Sequence, residues 1–400
     1  MKAERISEGW ARRARVGAAA CFLLTGLLFA SFASRVPAIK EGLGISDGQL
    51  GLAFVGLNAG AILGLQLGGI LVPRTGSRPA LVVALLAFAG VLLVPAVVPS
   101  LPALVAALFV LAAVNSVVDV AMNAQGVTVQ RLLGRAVLSG MHAMHSLGGV
   151  LGAGGGALAA RLDATPLAHF LVCAVVAAGA CVATSPLLLP SRTDAEGPAE
   201  DSSGDAPASG AGVLGWFRGW SIPVALLGAL AFCFTLAEGA ALDWSAVYLA
   251  DALGGTQALG AIGLGVFLGA VTLGRLVGDR LVSRFRAVRV FRTGALVASL
   301  GFGGALLVNA PLAGLVGLGL LGAGIANALP LAIGAGGNAP GEAPATAAAR
   351  VSTLAYLGSF VGPAIIGGLA TLYNLPLALG LPALLVLATT FGARAVRRAG

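Results

Sequence analysis

The chain has 400 residues, 58% hydrophobic and only 10% charged, with mean hydropathy +0.96 and a formal net charge of +8. Soluble globular domains carry about 25% charged residues, so this composition excludes an ordinary soluble fold and points to membrane-spanning segments. The basic excess has a topological origin and does not indicate a nucleic-acid partner.

Long apolar runs recur near 16–35, 48–72, 79–98, 102–127, 136–160, 165–188, 220–249, 256–279, 288–309, 311–335, 343–372 and 376–395. A spanning helix needs about 20 mostly apolar residues. Barrel strands would be about half that length and alternating, so twelve transmembrane helices are predicted in an all-α membrane protein. The first run has a basic lead like that of a signal peptide, but no small-residue cleavage site precedes Arg35, and an even helix count needs the run retained. Residues 190–218 carry Asp194, Glu196, Glu200, Asp201 and Asp205 among Pro, Ser and Gly. That composition predicts a flexible, solvated linker dividing a six-helix segment, 1–189, from a second, 219–400.

The Lys and Arg residues fix the orientation. Lys2, Arg5, Arg12, Arg13 and Arg15 precede the first run; Arg74 and Arg78, Arg131 and Arg135, Arg192 and Arg218, five arginines from Arg280 to Arg292, Arg350, and Arg394, Arg397 and Arg398 occupy alternate connections. Arg35, Lys40 and Arg161 fall on the opposite side, and Arg275 lies inside a run. Basic connections are retained in the cytoplasm, so both termini and the linker are expected there. Cys21, Cys173, Cys181 and Cys233 all lie within spans, a spacing that suits packing and neither a metal site nor a disulfide frame.

Gly60, Gly64 and Gly68, Gly148, Gly152 and Gly156, Gly274 and Gly278, and Gly358 and Gly362 recur one helical turn apart. Small residues at that spacing let helix backbones approach closely in lipid. Many of these positions repeat at an offset of 210: Thr25 with Thr235, Gly44 with Gly254, Gly64 with Gly274, Gly68 with Gly278, Arg74 with Arg284, Gly148 with Gly358 and Gly152 with Gly362. One offset held from the first helix of each half to the fifth predicts two parallel six-helix repeats, a transporter architecture.

The stretches Asp119-Val-Ala-Met-Asn-Ala-Gln125, Ser139-Gly-Met-His-Ala-Met-His-Ser-Leu-Gly-Gly149 and Glu238-Gly-Ala-Ala-Leu-Asp-Trp-Ser-Ala-Val-Tyr-Leu249 resemble the major facilitator superfamily, in its bacterial MosC/YbjJ-like branch near the fucose-permease-type sugar symporters. The resemblance implies two pseudo-twofold-related six-helix bundles that rock about a midplane site. The family's loop motif Gly-x-x-x-Asp-Arg-x-Gly-Arg-Arg/Lys reads here Gly69-Ile-Leu-Val-Pro73-Arg74-Thr-Gly76-Ser-Arg78, with proline in place of the gating aspartate. Arg74 and Arg78 then have helix ends or lipid phosphates to contact, and in the second copy Arg275, Asp279 and Arg280 stand nearby as gate candidates. Drug exporters of the superfamily carry a Gly-Pro-x-x-Gly-Gly-like motif in helix five. Here that helix has Gly152-Ala153-Gly-Gly-Gly156 without the proline, while Gly362-Pro363 lies in helix eleven.

Ionisable groups at membrane depth are costly and usually face a cavity or a partner. Asn115, Asp119 and Asn123 form one stripe on the fourth span, and His142 and His145 sit one turn apart on the fifth, at similar depth. Asp119 with the two histidines is a candidate proton-coupling site; a static polar lock and direct substrate contact are the alternatives. Arg35, ending the first span, is a candidate outer-gate partner for Asp243 or Glu238 on the seventh, since the implied fold sets those helices face to face. Asn58, Asn115, Asn123, Glu238, Trp244, Asn327, Ser352 and Tyr356 are candidate cavity residues, with Trp244 either a stacking face or an interfacial anchor.

No Walker A sequence, Gly-x-Ser-x-Gly elbow or His-Glu-x-x-His occurs, so neither an enzyme nor a cofactor is expected. The reading is a monomeric, proton-coupled secondary transporter of the bacterial inner membrane, moving a sugar-like or other small hydrophilic solute. The alternatives are a proton-antiport drug or metabolite exporter and a non-transporting membrane sensor.

Overall fold

The computed structural model describes residues 8–135, 137–190, 220–339 and 344–399. Every regular element among them is helical: α1 (Glu8–Ser34), α2 (Val36–Leu43), α3 (Asp47–Thr75), α4 (Ser77–Val91), α5 (Leu101–Leu133), α6 (Leu138–Arg161), α7 (Pro166–Thr184), α8 (Ile222–Val247), α9 (Gln257–Phe285), α10 (Ala287–Val308), α11 (Pro311–Ile325), α12 (Ala328–Gly337), α13 (Pro344–Leu372) and α14 (Leu375–Gly392). The short α2 continues α1, and α11 and α12 are two pieces of one span, which gives the twelve predicted spans. Eleven are long and apolar enough to cross a membrane; α6, interrupted by His142 and His145, is the twelfth. The predicted linker, Pro190 apart, lies outside the described residues.

Several helices run past their predicted apolar ends. α1 begins at Glu8, α5 continues to Leu133 and α9 to Phe285. Hydropathy marks only the part that matches the hydrocarbon core. The added turns hold good helix formers, and Arg131 and Arg284 in the last turns of α5 and α9 suit the negative end of the helix dipole.

The chain forms two compact units, Met1–Gly197 with Gly255–Gly265, and Pro198–Gly254 with Val266–Gly400. The 210-residue register recurs in the turn chemistry of each. Gly44 and Gly254 take φ of 62° and 64°, the left-handed geometry that stops a helix at low steric cost. Two residues later Ser46 caps α3 in a reciprocal pair with Gln49, and Thr256 Oγ1 accepts from Leu259 N at 3.1 Å to cap α9.

The same register governs packing. A Cβ on Gly64 would collide with the Ala113 carbonyl of α5, and one on Gly274 would meet Ala326 Cβ at 2.6 Å and the Ala323 carbonyl at 3.3 Å. Gly148 and Gly152 seat the Leu23 and Leu27 carbonyls of α1, and Gly358 and Gly362 seat the Phe232 and Leu236 carbonyls of α8. The glycines therefore act as close-contact seams in both units. Large apolar side chains point outward, with Ile222 85%, Leu307 89% and Phe391 86% exposed, as lipid-facing helices require.

Candidate functional site

In unit 1, Asp119 sits near the middle of the 33-residue α5, half-buried. Among the described residues its carboxylate has neither a hydrogen bond nor an ion pair. Asn123 Nδ2 donates to the Asp119 backbone carbonyl at 2.8 Å, and Asn115 Oδ1 is buried without a hydrogen-bond partner. The predicted polar stripe is therefore present, with the Asp119 carboxylate and Asn115 Oδ1 unpartnered among the described residues. The two histidines lie along α1 instead of on Asp119. The exposed His142 ring stands edge-on to Phe22 at 4.9 Å, and the His145 backbone abuts Gly26. Among the described residues neither histidine forms a hydrogen bond or ion pair with the Asp119 carboxylate, and their joint role stays an expectation. Asn58 is half-buried on α3. Lower on α5, Gln125 is fully enclosed and donates to Ser77 Oγ at 2.7 Å and the Leu189 carbonyl at 3.0 Å, while accepting from Leu189 N at 3.1 Å; it ties α4, α5 and the end of the first unit together.

Unit 2 holds a second polar centre whose cause is a single proline. Pro330 has no N–H to offer the Ala326 carbonyl four residues back, and its ring crowds that carbonyl. The tenth span accordingly breaks at Ala326–Asn327, between α11 and α12. Arg275 of α9 takes up the released carbonyl, Nε to Ala326 O at 3.4 Å, and its Nη2 pairs with Glu238 Oε1 of α8 at 3.0 Å. Asn327 returns the contact, Nδ2 to the Gly274 carbonyl at 3.0 Å, in space that opens because Gly278 has no side chain. Three spans are thus joined through one guanidinium.

Within unit 2 the Glu238 carboxylate pairs with Arg275, and the Arg35–Glu238 alternative for the outer gate stays an expectation. Arg35 donates Nη2 to the Ala164 carbonyl at 2.6 Å. Asp243 is buried in α8, and its pairing with Arg35 stays an expectation. The Asp279 side chain lies outside the described residues. Trp244 is fully enclosed in this structure, and its place among the cavity candidates stays an expectation. Its position in a tightly packed stretch, Gly239–Ala250, is the reason for the enclosure. Ser352 is half-buried, whereas Tyr356 is 63% exposed and stacks on Phe360 at 6.5 Å. Arg74 is exposed and Arg78 half-buried, and neither forms an ion pair among the described residues, in keeping with Pro73 in place of a carboxylate.

The model of the Major Facilitator Superfamily matches residues 18–363. The chain belongs to that superfamily. It is 35% identical over 379 residues to an uncharacterized MFS-type transporter of Yersinia pestis, covering 94% of each chain. It is 25% identical over 366 residues to the membrane protein MosC of Rhizobium meliloti, covering 90% of this chain and 84% of MosC. Among solved structures it resembles the nucleoside transporter NupG (TM-score 0.73, 14% identity, 96% and 98% of the two chains). It also resembles a D-xylose-proton symporter (TM-score 0.70, 14% identity, 96% and 97%) and the E. coli fucose:proton symporter FucP (TM-score 0.56, 17% identity, 95% and 97%). At such identities these likenesses establish the fold. The chain is a multi-pass membrane transporter with the superfamily's twelve-helix architecture.

Within that superfamily fold, the sequence reading missed the Arg275–Glu238–Ala326 centre. The signal was available. Pro330 is the proline inside the tenth apolar run, and a proline there frees the carbonyl four residues earlier. Arg275 lies inside a run and away from the basic connections, and an arginine at that depth needs partners.

Proposed function

We propose that this transporter is a proton-coupled secondary carrier that moves a small hydrophilic, sugar-like solute across the bacterial inner membrane by alternating access, with both termini in the cytoplasm. The observation that carries the reading is Asp119: a carboxylate near the middle of a spanning helix, flanked by Asn115 and Asn123 and paired with nothing among the described residues. An isolated carboxylate at membrane depth is a group that binds and releases a proton. The Arg275–Glu238 pair supports the same reading, since a charge pair joining three spans can be remade when they move. Two similar structures are of a D-xylose-proton and a fucose:proton symporter, which supports the same solute class, and the alternation of basic connections supports the orientation.

The test uses purified protein reconstituted in liposomes with D-xylose, L-fucose, uridine and mannitol as probes under an imposed pH gradient. One probe is expected to accumulate when the outside is acidic, and a protonophore abolishes the accumulation. Asp119→Asn is expected to retain solute counterflow and lose gradient-driven accumulation. Wild-type accumulation in Asp119→Asn removes the coupling assignment. Proton-driven movement of a hydrophobic cation, with no response to the four probes, replaces the uptake reading with export.

A further inference from the structure

Where α1 and α6 finish and α9 begins, unit 1 contains a cavity of about 650 Å³. Its wall includes Arg35, Arg161, Asp163, Thr256 and Gln257, and every lining residue belongs to unit 1. The volume is that of a small-molecule site.

Two independent features give this cavity its chemistry. The first is Arg35, which is only 3% exposed. Its Nη2 is satisfied by the Ala164 carbonyl, but Nε and Nη1 are buried with no hydrogen-bond partner among the described residues. A buried cation normally carries a counter-ion or a full set of acceptors. Asp163 shares the wall, yet it forms no ion pair with Arg35. The second feature is the start of the 29-residue α9. Thr256 caps Leu259 N, which leaves the Gln257 and Ala258 amides as orphan donors at the positive end of the helix dipole. Gln257 spends its side-chain amide on Glu41 Oε2 at 2.9 Å, fixing the first turn in place. Arg161 adds a second positive charge at the exposed rim.

We propose that this cavity is an oxyanion site, taking the carboxylate or phosphate group of a small anion or a lipid headgroup. A planar guanidinium with two unpartnered donors matches a two-oxygen acceptor once its side chain turns to the cavity it lines, and backbone amides at a helix start complete the cradle. The site is separate from Asp119 and from the Arg275 centre, and it stands or falls independently of proton coupling.

The experiment is thermal unfolding of the full chain in a non-ionic detergent, titrated with inorganic phosphate or acetate and, at matched ionic strength, with chloride. A saturable rise in midpoint with phosphate or acetate, absent with chloride, is expected. Arg35→Gln is expected to weaken the apparent affinity by about tenfold or more, as loss of a charged donor does. Arg161→Glu, at an exposed position that leaves packing untouched, is expected to weaken it as well. Equal midpoints in phosphate, acetate and chloride overturn the proposal, as does an unchanged affinity in Arg161→Glu together with an unchanged or unmeasurable Arg35→Gln. Repeating the titration in nanodiscs separates the sources. If phosphatidylglycerol suppresses the phosphate response seen in phosphatidylcholine, the occupant is a headgroup; if the response persists, the occupant is a soluble anion. Both results uphold the oxyanion site.

Discussion

Arg275 carries two bonds that a lysine cannot carry together. Its Nε faces the Ala326 carbonyl and its Nη2 faces Glu238, whereas an ammonium is a point charge without that fork. Arg275→Lys is therefore expected to lower transport sharply although the charge is kept. Arg275→Lys and Glu238→Gln are also expected to be non-additive. Because both groups are partly exposed, their coupling should come to about 1 kcal/mol in a double-mutant cycle of thermal unfolding; full additivity would mean that the contact contributes nothing. The cycle has an internal check. In a Pro330→Ala background the Ala326 carbonyl regains a main-chain partner, so losing Arg275 should cost less. Residue by residue, the sequence disclosed Asp119 and its asparagines because a polar stripe in an apolar helix is conspicuous. It hid the enclosure of Trp244, because whether an aromatic faces lipid, solute or neighbouring helices is settled by packing partners far away in the chain.

At the scale of elements, glycine spacing was readable and the role of each glycine was not. Gly64 and Gly154 look alike in the sequence. Gly64 lies against the Ala113 carbonyl, whereas nothing stands within 4 Å of a Cβ on Gly154. Gly64→Ala is thus expected to destabilise the protein by about 1–3 kcal/mol through forced backbone separation. Gly154→Ala is expected to be neutral or to stabilise it by up to about 1 kcal/mol through helix propensity. Thermal unfolding of the two variants gives opposite signs if the seam is real. Arg286 offers a gain. It holds φ 69° and ψ 147° before α10, where the repeat-related position is Gly76 with φ 87°. A side chain in that region carries about 1 kcal/mol or more of strain. Arg286→Gly should recover much of it, seen as a higher unfolding midpoint with unchanged transport. The α11–α12 break was hidden because hydropathy is blind to backbone bonding: the apolar run passes through Ala326–Asn327 without a pause.

Across the whole molecule, the twelve-helix superfamily fold was legible in the sequence, because the bilayer admits few solutions. Each span must satisfy its own backbone, basic connections stay on one side, and one offset of 210 residues organises caps, turns and seams alike. A topology test follows. Fusing alkaline phosphatase after Asp163 should give an active enzyme, as a periplasmic site requires, and fusing it after Arg135 should not; a fluorescent protein at the C-terminus should glow. An inactive phosphatase after Asp163 would contradict the orientation.

The interruption between α11 and α12 also has a kinetic consequence. In an unbroken spanning helix every interior amide is engaged and shielded, so it keeps its hydrogen for a very long time. Here the tenth span breaks at Ala326–Asn327 and Pro330 leaves the Ala326 carbonyl without a main-chain donor, so the hydrogen-bond ladder is weaker there than in continuous α5. Deuterium should therefore enter a peptide spanning residues 326–332 while the stretch around Asp119, in continuous α5, stays dark. The protein would show an isotopic window in the middle of the bilayer, and its rate of labelling would report how often water reaches the carbonyl that Arg275 guards.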